Sequence, residues 1–110
     1  MSDRLAQLAD IVLRIEAEMR RLDIWERQPP SAAALASTLP FCYDTLQFPQ
    51  WVQWVFLSRM QQIIQAGGPL PANSGIHAMV EHYCRENGLE APTWIALFAE
   101  FDRALSDHNA

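Results

Sequence analysis

From Asp3 to Trp25 the apolar positions fall at Leu5, Leu8, Val12, Ile15, Met19 and Leu22, alternating spacings of three and four. That is the one-sided stripe of a helix lying on a core. The opposite face pairs Asp10 with Arg14, Arg14 with Glu18 and Glu16 with Arg20 at i,i+4, each worth about 0.2–0.5 kcal/mol on a solvated surface. Ser2 or Asp3 can cap its start, and Pro29-Pro30 cannot continue it. The stripe is too short for a long coiled coil and suits one helix of a bundle.

Ser31 is placed to cap a short helix through Ser37. Thr38 to Tyr43 carries Pro40, Phe41, Cys42 and Tyr43, which reads as a packed irregular connection, since a flexible linker is poor in aromatics. Asp44 followed three residues on by Gln47 has the shape of a capping box. A helix is predicted from Pro49 to Ala66, closed by Gly67. Its apolar residues, Trp51, Val52, Trp54, Val55, Phe56, Leu57, Met60, Ile63 and Ile64, cover much of its circumference. It is therefore expected to be the central, most buried helix.

Residues 67–73 read as a turn-rich loop, and Ser74 as the cap of a helix over 75–87 that ends at Gly88. Ile76, Met79, Val80, Tyr83 and Cys84 form its inner face. Pro92 opens a last helix, to about residue 107, with Trp94, Ile95, Leu97, Phe98, Phe101 and Leu105 as its apolar set. No segment alternates with period two, and no repeat is present. The expectation is a single all-α domain over residues 1–110, a bundle of four long helices and one short one.

Composition narrows the function. Half of the 110 residues are apolar and 19% are charged, enough apolar side chain to exclude a disordered chain. The formal charge is −5 and all eight cations are arginine. The lack of lysine excludes Schiff-base chemistry and the P-loop lysine. An acidic chain also suits duplex DNA badly. Arg14, Arg20, Arg21 and Arg27 are offset by Glu16, Glu18, Asp23 and Glu26, so direct nucleic-acid binding is not expected. The N-terminus carries charges in place of an apolar signal core, and the run Trp51–Leu57 is far short of a membrane span. A soluble, cytoplasmic protein with two reduced thiols at Cys42 and Cys84 is expected.

Chemistry-bearing groups are sparse. His77 and Glu81 share a helix face, but His82 and Cys84 point elsewhere, so no metal site is expected. The serines lie in no nucleophile elbow, Cys42 has no local catalytic signature, and Glu16 and Glu18 read as solvated. The richest stretch holds Asp44, Thr45, Trp51, Gln53, Trp54 and Arg59, with Phe41, Tyr43 and Phe48 just before. An aromatic wall with one acid, one amide and one guanidinium can form a pocket or partner surface. The same residues can also be structural, with Asp44 and Thr45 capping, Arg59 pairing with Asp44, and both tryptophans in the core.

Trp25, Ser37-Thr38, Pro40-Phe41, Asp44-Thr45, the run Trp51-Val52-Gln53-Trp54-Val55, Arg59-Met60 and Pro69-Leu70-Pro71 together resemble the YqcC-like family of small bacterial proteins of unknown function. Two positions depart from its pattern: Ser58 stands where a proline is usual, and Pro49 comes one position late. The resemblance implies a cytoplasmic helical bundle. It also implies a gene lying near that of a tRNA pseudouridine synthase, whose name some members carry. That activity does not transfer. Those enzymes hold a catalytic aspartate in a larger mixed α/β domain, in an arginine-leucine-aspartate setting that Cys-Tyr-Asp44-Thr does not resemble.

The expected function is a non-enzymatic accessory or protein-interaction module without cofactor. Its partner would be a protein, with a tRNA-modifying enzyme the leading candidate. Two alternatives stay open: a small-anion binder with Arg59 in an aromatic pocket, and a homo-oligomer formed through helix one.

Overall fold

The computed structural model describes residues 3–71 and 75–108, and among them every regular element is helical. Helix α1 spans Asp3–Arg21 and α2 is the single turn Ala32–Leu35. Helix α3 runs unbroken through Phe48–Trp51, the π-helical Val52–Phe56 and Leu57–Ala66. Helices α4 and α5 span Ile76–Asn87 and Pro92–His108. This is the expected all-α bundle of four long helices and one short one. Helix α5 packs on α1 and α4, and α1 also packs on α3.

The core is built from the stripe Leu8, Ile11, Val12, Ile15 and Met19 of α1 against Trp94, Leu97, Phe98, Phe101, Ala104 and Leu105 of α5. Val80 and Cys84 of α4 and Val52, Leu57 and Met60 of α3 complete it. Burial pushes the Cys84 thiol up from its ordinary pKa. The most buried helix is thus α5, not α3 as the pattern had suggested. A π-turn is the reason. Leu57 N–H bonds to the Val52 carbonyl five residues back, so one extra residue enters the turn and later side chains rotate by about 100°. Buried positions then fall at Val52, Leu57 and Met60, and Trp51, Trp54 and Phe56 are left half-buried.

Helix ends follow backbone chemistry. Helices α3 and α4 end at Gly67 and Gly88, both left-handed, with the paired bonds Gly68 N–H to Ile63 O and Leu89 N–H to Cys84 O. Helix α1 ends at Arg21, short of the expected Trp25, in the same way: Asp23 takes φ 61° and Ile24 N–H bonds to Met19 O at 3.0 Å. An aspartate in a left-handed position is strained relative to glycine. Asp23→Gly is therefore expected to stabilise the fold by about 0.5 kcal/mol, the local relief being partly offset by unfolded-state entropy; urea denaturation measures it.

Ser31 caps α2, its Oγ accepting from Ala34 N–H at 3.1 Å. The box expected at Asp44 and Gln47 instead sits at Gln47 and Gln50, with Gln50 Oε1 accepting from Gln47 N–H at 2.8 Å. Ser2 and Ser74, expected as caps, lie outside the described residues. A distant side chain meets the need at α4: Asp102 of α5 accepts from His77 N–H at 2.9 Å. Asp102→Ala is expected to cost about 1 kcal/mol, as loss of a helix cap does, and thermal unfolding at pH 7 checks it.

On α1, Asp10–Arg14 at 3.6 Å and Glu16–Arg20 at 2.9 Å form as the spacing implied. Arg14 turns to Glu100 of α5 instead of Glu18. Glu18 accepts from Arg21 at 2.8 and 2.9 Å, hydrogen bonds that hold its carboxyl below the usual range. Glu16 and Glu18 are partly covered, not solvated as expected.

Candidate functional site

The π-turn aims Gln53 and Trp54 at the segment that follows α1. Gln53, only 6% exposed, closes a two-bond ring with the Glu26 backbone: Glu26 N–H donates to Gln53 Oε1 and Gln53 Nε2–H donates to Glu26 O, both at 2.8 Å. The Glu26 carboxylate accepts from Gln50 Nε2 and from Trp54 Nε1, each at 3.2 Å. Arg20 lies 4.7 Å over the Trp25 ring while paired with Glu16. Trp25, Trp54, Arg20, Arg27, Ser58 and Gln61 help line a groove of about 570 Å³ here.

Trp51 turns the other way. It joins a run of rings from Phe41 (4.7 Å, edge-on) and Phe48 (5.9 Å) through Phe56 (5.8 Å) to Phe101 and Phe98, and so to Trp94. Phe41 anchors a tight turn, Leu39–Tyr43, in which Phe41 and Cys42 take φ 57° and 50°. Positive φ at a bulky residue persists only where the surroundings impose it. Here they do. Cys42 is buried, Ser37 Oγ–H donates to Asp44 at 2.5 Å, and Thr45 Oγ1–H donates to Ala34 O at 2.7 Å. The turn leaves Tyr43 70% and Leu39 40% exposed beside an apolar pocket of about 190 Å³ lined by Phe41, Leu46, Phe48 and Met79.

The six residues singled out from sequence therefore do not form one pocket. Gln53 and Trp54 belong to the Glu26 groove, and Asp44 and Thr45 brace the turn. Arg59 lines a separate pocket of about 130 Å³ with Trp51, Phe56, Met60 and Phe101. The expected Arg59–Asp44 pair does not form: Asp44 takes Ser37, and no ion pair of Arg59 occurs among the described residues. Trp51 and Trp54 are half-buried, neither fully core nor surface. Sequence reasoning missed Glu26. Its only signal was the polar set Gln50, Gln53 and Trp54 at i, i+3 and i+4 inside an apolar helix. Among the described residues no three His, Cys, Asp or Glu side chains converge as a metal site, and no helix is long and apolar enough to cross a membrane.

Fold and site define a small helical module that offers a braced apolar turn and a tryptophan-lined groove. Over residues 7–104 the chain matches the DUF446 family, described as tRNA pseudouridine synthase C, and it belongs to that family. An uncharacterised protein of Haemophilus influenzae is 36% identical over 73 residues, 66% of this chain and 69% of that one. Uncharacterised protein YqcC of Escherichia coli K12 is 29% identical over 89 residues, 81% of this chain and 79% of that one. A protein of Pectobacterium carotovorum named tRNA pseudouridine synthase C is 37% identical over 65 residues, 59% of this chain but 17% of the relative. No solved structure matches.

Proposed function

We propose that this chain is a non-catalytic accessory module that docks on a tRNA-modifying enzyme of the pseudouridine synthase kind in the cytoplasm. One observation carries the reading. In the Pectobacterium relative the segment similar to this chain is 17% of a polypeptide bearing the synthase name, so a like segment is covalently joined to a far larger remainder. A tether supplies effective concentration; a separate chain must supply the same association through its surface.

The chemistry of the Glu26 groove speaks against proton transfer there. Its amides, indole and carboxylate are spent on one another, fastening residues 25–27 to the π-turn. The chain's net charge of −5 favours a cationic protein partner over RNA itself.

The test is capture of the tRNA pseudouridine synthase C of the same cell by the tagged chain, before and after ribonuclease. Retention after ribonuclease is expected. Absence of the enzyme from the resin at low and physiological salt would sink the reading.

One observation favours a second reading, a small-anion binder: the guanidinium of Arg59 at an aromatic pocket. A carboxylate and phosphate panel in a thermal-shift assay decides it. A ligand at a hundred times its Kd adds about 2.7 kcal/mol of stability, and that gain must vanish in Arg59→Ala.

A further inference from the structure

We infer that the Leu39–Tyr43 turn is the docking knob of this module, and that its occupant is an apolar pocket with a cationic rim on the synthase partner. The inference rests on the proposed function and adds the surface to it.

Four features of the turn point the same way. Tyr43 and Leu39 are two of the three large hydrophobic side chains left exposed among the described residues, the third being Leu13 on α1. They lie four residues apart on a turn whose backbone cannot relax. Phe41 and Cys42 at positive φ are each strained, and the ring run from Phe41 to Trp94 fixes the strained conformation from the core side. Ser37–Asp44 and Thr45–Ala34 fix it from the chain side. The knob is thus rigid before binding, so little ordering entropy is lost on docking. Tyrosine is also among the residues that dominate interface energetics.

Charge and chain organisation select the occupant. Asp44 is an exposed carboxylate adjoining Tyr43. An apolar centre beside an anion fits an apolar pocket beside cations. An enzyme that holds tRNA must carry cations on its surface, and the Pectobacterium chain joins a segment like this one to the synthase name. The Glu26 groove is the weaker surface because its polar groups are already satisfied internally and its tryptophans are half-buried.

The experiment is a calorimetric titration of the tRNA pseudouridine synthase C of the same cell with the wild-type chain, Tyr43→Ser, Leu39→Ser/Tyr43→Ser and the groove variant Arg27→Glu. Each variant is checked by circular dichroism, and both knob side chains are exposed enough to be replaced without unfolding. Tyr43→Ser is expected to raise Kd at least 30-fold and the double variant at least 100-fold, with Arg27→Glu within threefold of wild type. If wild type binds and the knob variants bind equally well, the knob is overturned and the accessory reading stands. Should Arg27→Glu alone abolish binding, the interface lies in the groove and the knob is again overturned. If the wild-type chain does not bind, the accessory reading fails and the knob assignment fails with it. Light scattering of the chain alone supplies a further check: a dimer that Tyr43→Ser dissociates would make a second copy the occupant, against the inference.

Discussion

Trp94→Ala is expected to unfold most of the protein or lower its Tm by roughly 12 °C or more, because truncating a buried tryptophan costs about 3–5 kcal/mol. Trp94 has no exposed surface and packs edge-on against Phe98 at 5.4 Å, in the first turn of the helix that packs on both α1 and α4. The loss is a large share of the roughly 5–15 kcal/mol that holds a domain of this size together. The companion variant separates volume from polarity. Among the described residues the buried Trp94 indole N–H has no hydrogen-bond partner, so Trp94→Phe removes no bond to them. It should cost about half as much or less, roughly 1–2 kcal/mol, because the smaller ring gives up less buried surface and leaves a smaller cavity. Urea denaturation of the two variants checks both, and equal losses would contradict this account of the core.

Gln53→Met is the second large effect. The replacement keeps length and burial but removes both bonds to the Glu26 backbone. An amide N–H and a carbonyl are then left unpaired in a part-buried place, each at about 1–3 kcal/mol, so a loss of roughly 2–6 kcal/mol is expected. Hydrogen exchange gives an independent readout: the Glu26 amide should be protected in the wild type and exchange far faster in the variant. A Gln53→Met protein within about 0.5 kcal/mol of wild type would mean the clasp contributes nothing to the fold, since that is the scatter of ordinary surface changes.

The helical skeleton was legible because its signals are local. Ser31 caps α2, Gly67 and Gly88 end α3 and α4, and Pro92 opens α5 as the residues themselves dictate. The α1 stripe needed only its own periodicity. What could not be read depends on residues outside their usual roles, on a local extra residue in a helical turn, or on partners distant in sequence. Asp23 ends α1 in the role glycine usually fills. Asp102 meets His77 across two helices. The π-turn at Val52–Phe56 rotates the second half of α3, so that Trp51 and Trp54 serve different surfaces and Arg59 stands apart from Asp44. The aromatic stretch does not act as one unit: its six residues brace a turn, line a groove and flank a third pocket. Glu26, the hub of the groove, carries no motif that marks it. Only the fold brings Gln50, Gln53 and Trp54 to it.

The most direct measurement is the mass in solution, by light scattering after size exclusion, of an equimolar mixture of this chain with the tRNA pseudouridine synthase C of the same cell, both freed of RNA. The expected result is one species whose mass is the sum of the two chains, lost when Leu39 and Tyr43 are both replaced by serine. Two separate species at the masses of the free proteins would contradict the account.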